Sequence, residues 1–215
     1  MILAGVASGC ALEAGSSRGP TPQQTPRAAA SRPLDAKQTE RVQRVMTPLL
    51  GAMDNPRRVN EVRVRVIDDP KINAANAGGG EFQITTGLLV KANDDQLRGV
   101  FAHEVAHDDL GHVARAQTLG TGLNIGVILL EKIFPGSSAV TPIAGALIAN
   151  SYSRSEELAA DRHGVEILRR AGYSKELMID TLMWLTRTSG GDSGGGFLST
   201  HPGTEERIDA LRKMP

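Results

Sequence analysis

The sequence predicts an α+β domain, mainly helical, with a small sheet. Three observations carry this. Apolar residues recur at helical spacing, as in Val42, Val45, Met46, Leu49, Leu50 and Met53. Val62, Val64 and Val66 alternate with Glu61, Arg63 and Arg65, the period of a half-exposed strand. Segments with helical signals outnumber those with strand signals, and one of them, Asn93-Asp94-Asp95-Gln96, carries a capping box.

The elements follow in chain order. The first helix covers residues 42–53; Pro48 argues against one straight rod, and Asp54-Asn55-Pro56 ends it. The alternating strand comes next, then a turn at Asp68-Asp69-Pro70. A second strand over residues 81–86 follows Gly78-Gly79-Gly80. The helix that starts at Asn93 is expected to run through residue 117. Residues 119–150 are apolar and glycine-rich, but Glu131, Lys132, Pro135, Gly136 and Pro142 suit two short buried helices around a loop better than a membrane span. A helix from 153 to 170 stops at Ala171-Gly172. Further helices cover 174–187 and 205–213, and the glycine-rich stretch 189–196 between them is expected to be a mobile loop.

The chain has 215 residues, enough for one domain with a substantial core and a tail. Lys plus Arg equals Asp plus Glu, so there is no basic excess of the kind a nucleic-acid binder needs. The single cysteine, Cys10, excludes an intrachain disulfide. It ends a short apolar run, and Ala7-Ser8-Gly9-Cys10 resembles a bacterial lipobox. The run is short and no Lys or Arg precedes it, so a disordered N-terminus with a stray thiol stays open. The expected organisation is a lipoprotein-type signal remnant over 1–10, a disordered Pro/Ser/Thr-rich linker over 11–33, and a folded domain over 34–215. Lipidation at Cys10 would anchor the protein to a membrane without a transmembrane helix, facing the periplasm of a bacterial cell envelope.

The chemistry sits in His103-Glu104-Val105-Ala106-His107. Histidines four apart on a helix share one face, about one turn from each other. Two such imidazoles suit one Zn²⁺, with Glu104 beside them to take a proton from a water that the metal holds. A catalytic site of this kind needs a third protein ligand and an open position. His112 lies about 180° from His103 on a continuous helix, so it is expected to be structural. Glu157 is the best candidate from another helix. It shares a helix face with Asp161 by i, i+4 spacing, and Asp161 could orient a ligand histidine. Spacing alone serves equally for a solvated acidic face of Glu156, Glu157 and Asp161.

His103 to His107, Ser153-Arg154, Glu157 to Asp161 and His201-Pro202 together resemble the HtpX-like and CAAX-prenyl-protease-like metallopeptidases, which are gluzincins. Asn73-Ala74-Ala75-Asn76-Ala77 and Thr85-Thr86-Gly87-Leu88-Leu89 are similar to the segment before the zinc helix of that family. The likeness covers roughly residues 35–213 and is strongest to the periplasmic LoiP- and BepA-type members. It implies a zinc endopeptidase domain with a small sheet beside the HExxH helix, and one Zn²⁺ per chain on His103, His107 and Glu157. It implies Glu104 as general base and Asp161 behind the ligands. It also implies that His201, whose counterpart in some relatives approaches the zinc, blocks or regulates the site, with a hydrogen-bonding residue in a turn as the alternative, and that Arg154 lies near the substrate or the scissile carbonyl. For Arg154, a salt bridge to Glu157 or Asp161 is the alternative. Protein or peptide substrates follow, with misfolded or misassembled envelope proteins as the expected class. The competing expectation is a catalytically silent or autoinhibited zinc-binding chaperone or assembly factor, closed by His201 as fourth ligand.

Overall fold

The computed structural model describes residues 31–119, 152–189 and 196–215. Cys10, the signal-like residues, the linker up to residue 30 and the two short helices expected within 119–150 lie outside the described residues, as does most of the 189–196 stretch.

The element order is β1 (Ser31–Pro33), α1 (Ala36–Gly51), a short 3-10 turn (Val59–Glu61), β2 (Arg63–Ile67), β3 (Ala74–Gly78), β4 (Glu81–Thr85), α2 (Thr86–Lys91), α3 (Asp94–Asp109) and α4 (His112–Leu119). Then come α5 (Arg154–Arg170), α6 (Glu176–Ser189), α7 (Phe197–Thr200) and α8 (Thr204–Arg212). The sheet runs β1-β2-β4-β3, with β2 and β4 parallel and the outer pairs antiparallel. Ser31–Pro33, assigned to the linker by composition, pair with Arg65, Val66 and Ile67 of β2. Pro33 is tolerated there because an edge strand does not need its missing N–H.

α1 begins at Asp35, whose side chain accepts from the Gln38 N–H while Gln38 reaches back to the Asp35 N–H. It runs on through Pro48 to Gly51. Arg41 ties it to the start of α3 through Asp94 at 2.8 Å and through the Leu89 and Ala92 carbonyls. The core fills the space between α1, the sheet and α3 with Val45, Leu49, Val66, Ile84, Leu88, Leu97 and Phe101, all fully buried.

α3 is the central element, packed on α1, β3, α5 and α6 and buried from Leu97 to Asp108. It packs tightly on α6 at Gly99, where a Cβ would lie 2.1 Å from Thr181 Oγ1. It packs tightly on α5 at Gly164, where a Cβ would lie 3.2 Å from the Ala102 carbonyl oxygen. Ala160 is buried beside it, whereas Ala159 is half-buried.

The expected single helix from 93 to 117 is two helices. Gly111 adopts φ +65°, and its N–H bonds the Asp108 carbonyl, which terminates α3. α4 then starts in a new direction at His112. Among the described residues no helix is long and apolar enough to cross a membrane.

Candidate metal centre

α3 carries His103 and His107 on one face, with their Nε2 atoms 3.0 Å apart. α5 crosses beside them and brings Glu157, whose Oε2 is 3.5 Å from His103 Nε2 and whose Oε1 is 3.4 Å from His107 Nε2. The turn after α7 brings His201, with Nδ1 3.1 Å from His103 Nε2 and 3.0 Å from Glu157 Oε1. All four side chains are buried, and their donor atoms fall within 4.8 Å of one another.

These spacings fit zinc. With bonds of about 2.0–2.1 Å, a tetrahedral ion separates its donor atoms by about 3.3 Å. The closest donor pairs here span 3.0 to 3.5 Å. Among the described residues, both Glu104 oxygens and Glu157 Oε2 are buried without a hydrogen-bond partner, a costly state that a nearby positive centre offsets.

Each ligand-type histidine is held from behind. His103 Nδ1 lies 2.9 Å from Asp161 Oδ1, so Nδ1 carries the proton and Nε2 presents its lone pair to the cluster. Asp161 is clamped by Arg207 of α8, with Nε 2.6 Å from Oδ2 and Nη2 2.8 Å from Oδ1. Arg207 Nη1 also donates to the His201 carbonyl at 3.0 Å and lies 2.7 Å from Glu157 Oε2, off the line of a hydrogen bond. Sequence reasoning missed Arg207. Nothing in the pattern of α8 separates it from Arg212, which stays exposed.

His112 differs from expectation. The break at Gly111 turns it back, so that its Nδ1 lies 2.8 Å from His107 Nδ1. His112 would lie about 180° from His103 only on a continuous helix, which Gly111 interrupts. Tyr152, also missed, stacks on the His107 ring at 3.7 Å between centroids. Glu104 faces the cluster with Oε1 3.3 Å from His201 Nε2. Arg154 does not join it. This residue is the first of α5, its side chain is 77% exposed, and its ion pair is with Glu206 at 3.7 Å, so it bridges neither Glu157 nor Asp161.

The electrostatics follow from burial and from a surplus of carboxylates. Burial keeps His107 well below the usual histidine value, hence neutral, against the opposing pull of Glu157. Burial alone would raise Glu157, but His201 and then Arg207 hold it well below the carboxylate range. Asp161 is likewise held down against burial, by Arg207. His201 is raised, because the Glu157 and Glu104 carboxylates outweigh its burial. Burial, reinforced by Glu104 and Glu157, keeps the Tyr152 phenol protonated.

A sequence profile of peptidase family M48 matches residues 36–215. The chain is similar to the mitochondrial metalloendopeptidase OMA1 of Arabidopsis thaliana, 31% identical over 150 residues, covering 69% of this chain and 30% of that protein. It is similar to the metalloprotease LoiP of Escherichia coli, 24% identical over 172 residues, covering 78% of this chain and 68% of the relative. A protease HtpX homolog of Methylacidiphilum infernorum is 27% identical over 202 residues, covering 71% and 66%. The chain thus spans under a third of the plant relative and about two thirds of the bacterial ones. With the profile covering residues 36–215 and the four-donor cluster lying within it, the chain belongs to peptidase family M48, and its domain is a metalloendopeptidase domain that takes zinc.

Proposed function

We propose that His103, His107 and Glu157 hold the zinc and that Glu104 is the general base and acid of peptide-bond hydrolysis. One observation carries this: a buried carboxylate, both of whose oxygens lack a hydrogen-bond partner among the described residues, stands next to a ready-made cluster of metal donors. The zinc, when bound, supplies Lewis acidity toward the scissile carbonyl. Asp161 fixes the tautomer of His103 so that Nε2 stays free to ligate. Glu104 takes the proton of the attacking water on a free carboxylate oxygen and returns it to the leaving amine. Glu104→Gln should keep one zinc per chain and lose casein hydrolysis; normal turnover in that variant overturns the assignment.

Substrate pairing is better assigned to β3 than to β4. β4 (Glu81–Thr85) lies inside the sheet, hydrogen-bonded on both sides. β3 is the edge beside α3, and among the described residues no strand pairs with its outer side. An extended peptide added there would be read through its backbone, with little side-chain selectivity. This supports misfolded or misassembled envelope proteins as substrates. The lipobox-like Ala7-Ser8-Gly9-Cys10 supports a lipid anchor in a bacterial envelope, facing the periplasm.

A second reading is favoured by His201. Its imidazole stands between Glu157 and Glu104, where the attacking water must act. As a fourth ligand it would make a silent or autoinhibited zinc protein. Inactive wild type with four protein ligands in an anomalous zinc map would support that reading.

A further inference from the structure

The two imidazoles of α3 are supported differently. His103 leans on a carboxylate, Asp161, at 2.9 Å. His107 leans on another imidazole, His112, with the two Nδ1 atoms 2.8 Å apart and His112 4% exposed. Two ring nitrogens at this distance share one proton, so one donates and the other accepts. A His107 that offers Nε2 to a metal must carry its proton on Nδ1. His112 must then accept on Nδ1 and carry its own proton on Nε2.

We infer that His112 is a positioning residue for the metal: it fixes the tautomer and ring orientation of His107 by accepting the Nδ1–H. This rests on the reading of His107 as a ligand. Three features of the fold support it. Gly111, at φ +65°, breaks the helix just before His112 and turns its ring back toward α3. Tyr152 covers the face of the His107 ring, stacked at 3.7 Å with an interplanar angle of 27°, while His112 holds its edge. The choice of a neutral acceptor also suits the charge of the centre. Glu104, Glu157 and Asp161 already face, among the described residues, one buried guanidinium, Arg207, and are themselves buried. A fourth carboxylate behind His107 would add an uncompensated buried charge.

The test compares His112→Asn, whose amide oxygen can take the place of Nδ1, with His112→Leu, which removes the acceptor at similar size. Zinc affinity is read by competition with a chromophoric chelator, and zinc release by transfer to excess chelator. Partners behind metal ligands typically contribute about 10–100-fold in affinity. The Leu variant should lose affinity in that range and release zinc faster, while the Asn variant stays within about threefold of wild type. Equal losses in both variants indicate packing and overturn the inference, as does no loss in either. Nitrogen-15 spectra of the zinc-loaded wild type read the same point without a variant. His107 protonated on Nδ1, with His112 protonated on Nε2, is expected, and the reverse arrangement overturns it. If His107→Ala retains stoichiometric zinc at wild-type affinity, the ligand reading has failed rather than this one.

Discussion

Arg207→Met tests the part of the site that the sequence concealed. The variant keeps an unbranched apolar stem and removes the guanidinium with its charge. Arg207 is 1% exposed and faces Asp161 and Glu157, which are 1% and 0% exposed. Removing one partner of a buried ion pair costs roughly 3–5 kcal/mol, because the remaining charge stays buried. The His201 carbonyl also loses its donor, worth about 1 kcal/mol. Asp161 keeps the His103 Nδ1–H, and Glu157 keeps His201, which limits the loss. The expected cost is therefore about 4 kcal/mol, a large share of the stability of an ordinary domain. Urea unfolding of chelator-treated protein at pH 7 measures it. The pH dependence supplies a second check. Asp161 and Glu157 titrate below their usual 3.8 and 4.5 in the folded wild type. Their stabilising contribution is thus fully present above those values and is lost as the pH falls through the lower folded ones. Without Arg207 both carboxylates take up protons more readily in the fold. The gap between variant and wild type should accordingly narrow as the pH falls toward 4. Saturating zinc should narrow it as well, since the ion supplies positive charge to Glu157. A gap under about 1 kcal/mol at pH 7, or one that does not change with pH, would refute the reasoning.

Three further outcomes are expected. Asp161→Asn should weaken zinc binding by about 10–100-fold in chelator competition, since the amide is a poorer acceptor for His103 Nδ1–H and a poorer partner for Arg207. Gly99→Ala should cost about 1–3 kcal/mol in urea unfolding, because the new Cβ falls 2.1 Å from Thr181 Oγ1 at the contact of α3 with α6. Arg154→Ala should change stability by under about 0.5 kcal/mol and leave kcat/KM for casein unaltered, because its side chain is exposed and, among the described residues, its ion pair is with Glu206.

What the sequence revealed about this site was whatever depends on local spacing. The i, i+4 pairs His103/His107 and Glu157/Asp161 face one another as expected. The capping box at Asn93 starts α3 where it was read. β3 was hard to see as a strand because Ala74-Ala75-Asn76-Ala77-Gly78 carries no β-branched residue. It forms through antiparallel pairing with β4 across three glycines at positive φ. The break at Gly111 hid behind apolar periodicity that continues into Val113, and with it went the position of His112. Arg207 and Tyr152 were invisible for a different reason. Their partners lie on other elements, and a lone arginine on a polar helix reads as solvated.

The proposed role left for His201 is that of a gate on the fourth position of the centre. Glu104, Glu157 and Asp161 outnumber Arg207 by two charges in a buried cluster. That excess raises the affinity of His201 for a proton, and a divalent cation cancels the same excess. His201 as a cation and the metal therefore compete for one negative field. Metal binding removes the reason for the proton and leaves His201 two courses: to ligate as a neutral imidazole, or to move away and free the space before Glu104. Gly196 and Gly203, at φ +88° and +82°, bracket α7 and His201 and offer two places where the chain can turn. If His201 is a gate, His201→Ala should digest casein faster than wild type, with Glu104→Gln in the same background abolishing the gain. If His201→Ala and wild type cleave at the same rate, His201 does not control the fourth position and the gate is wrong.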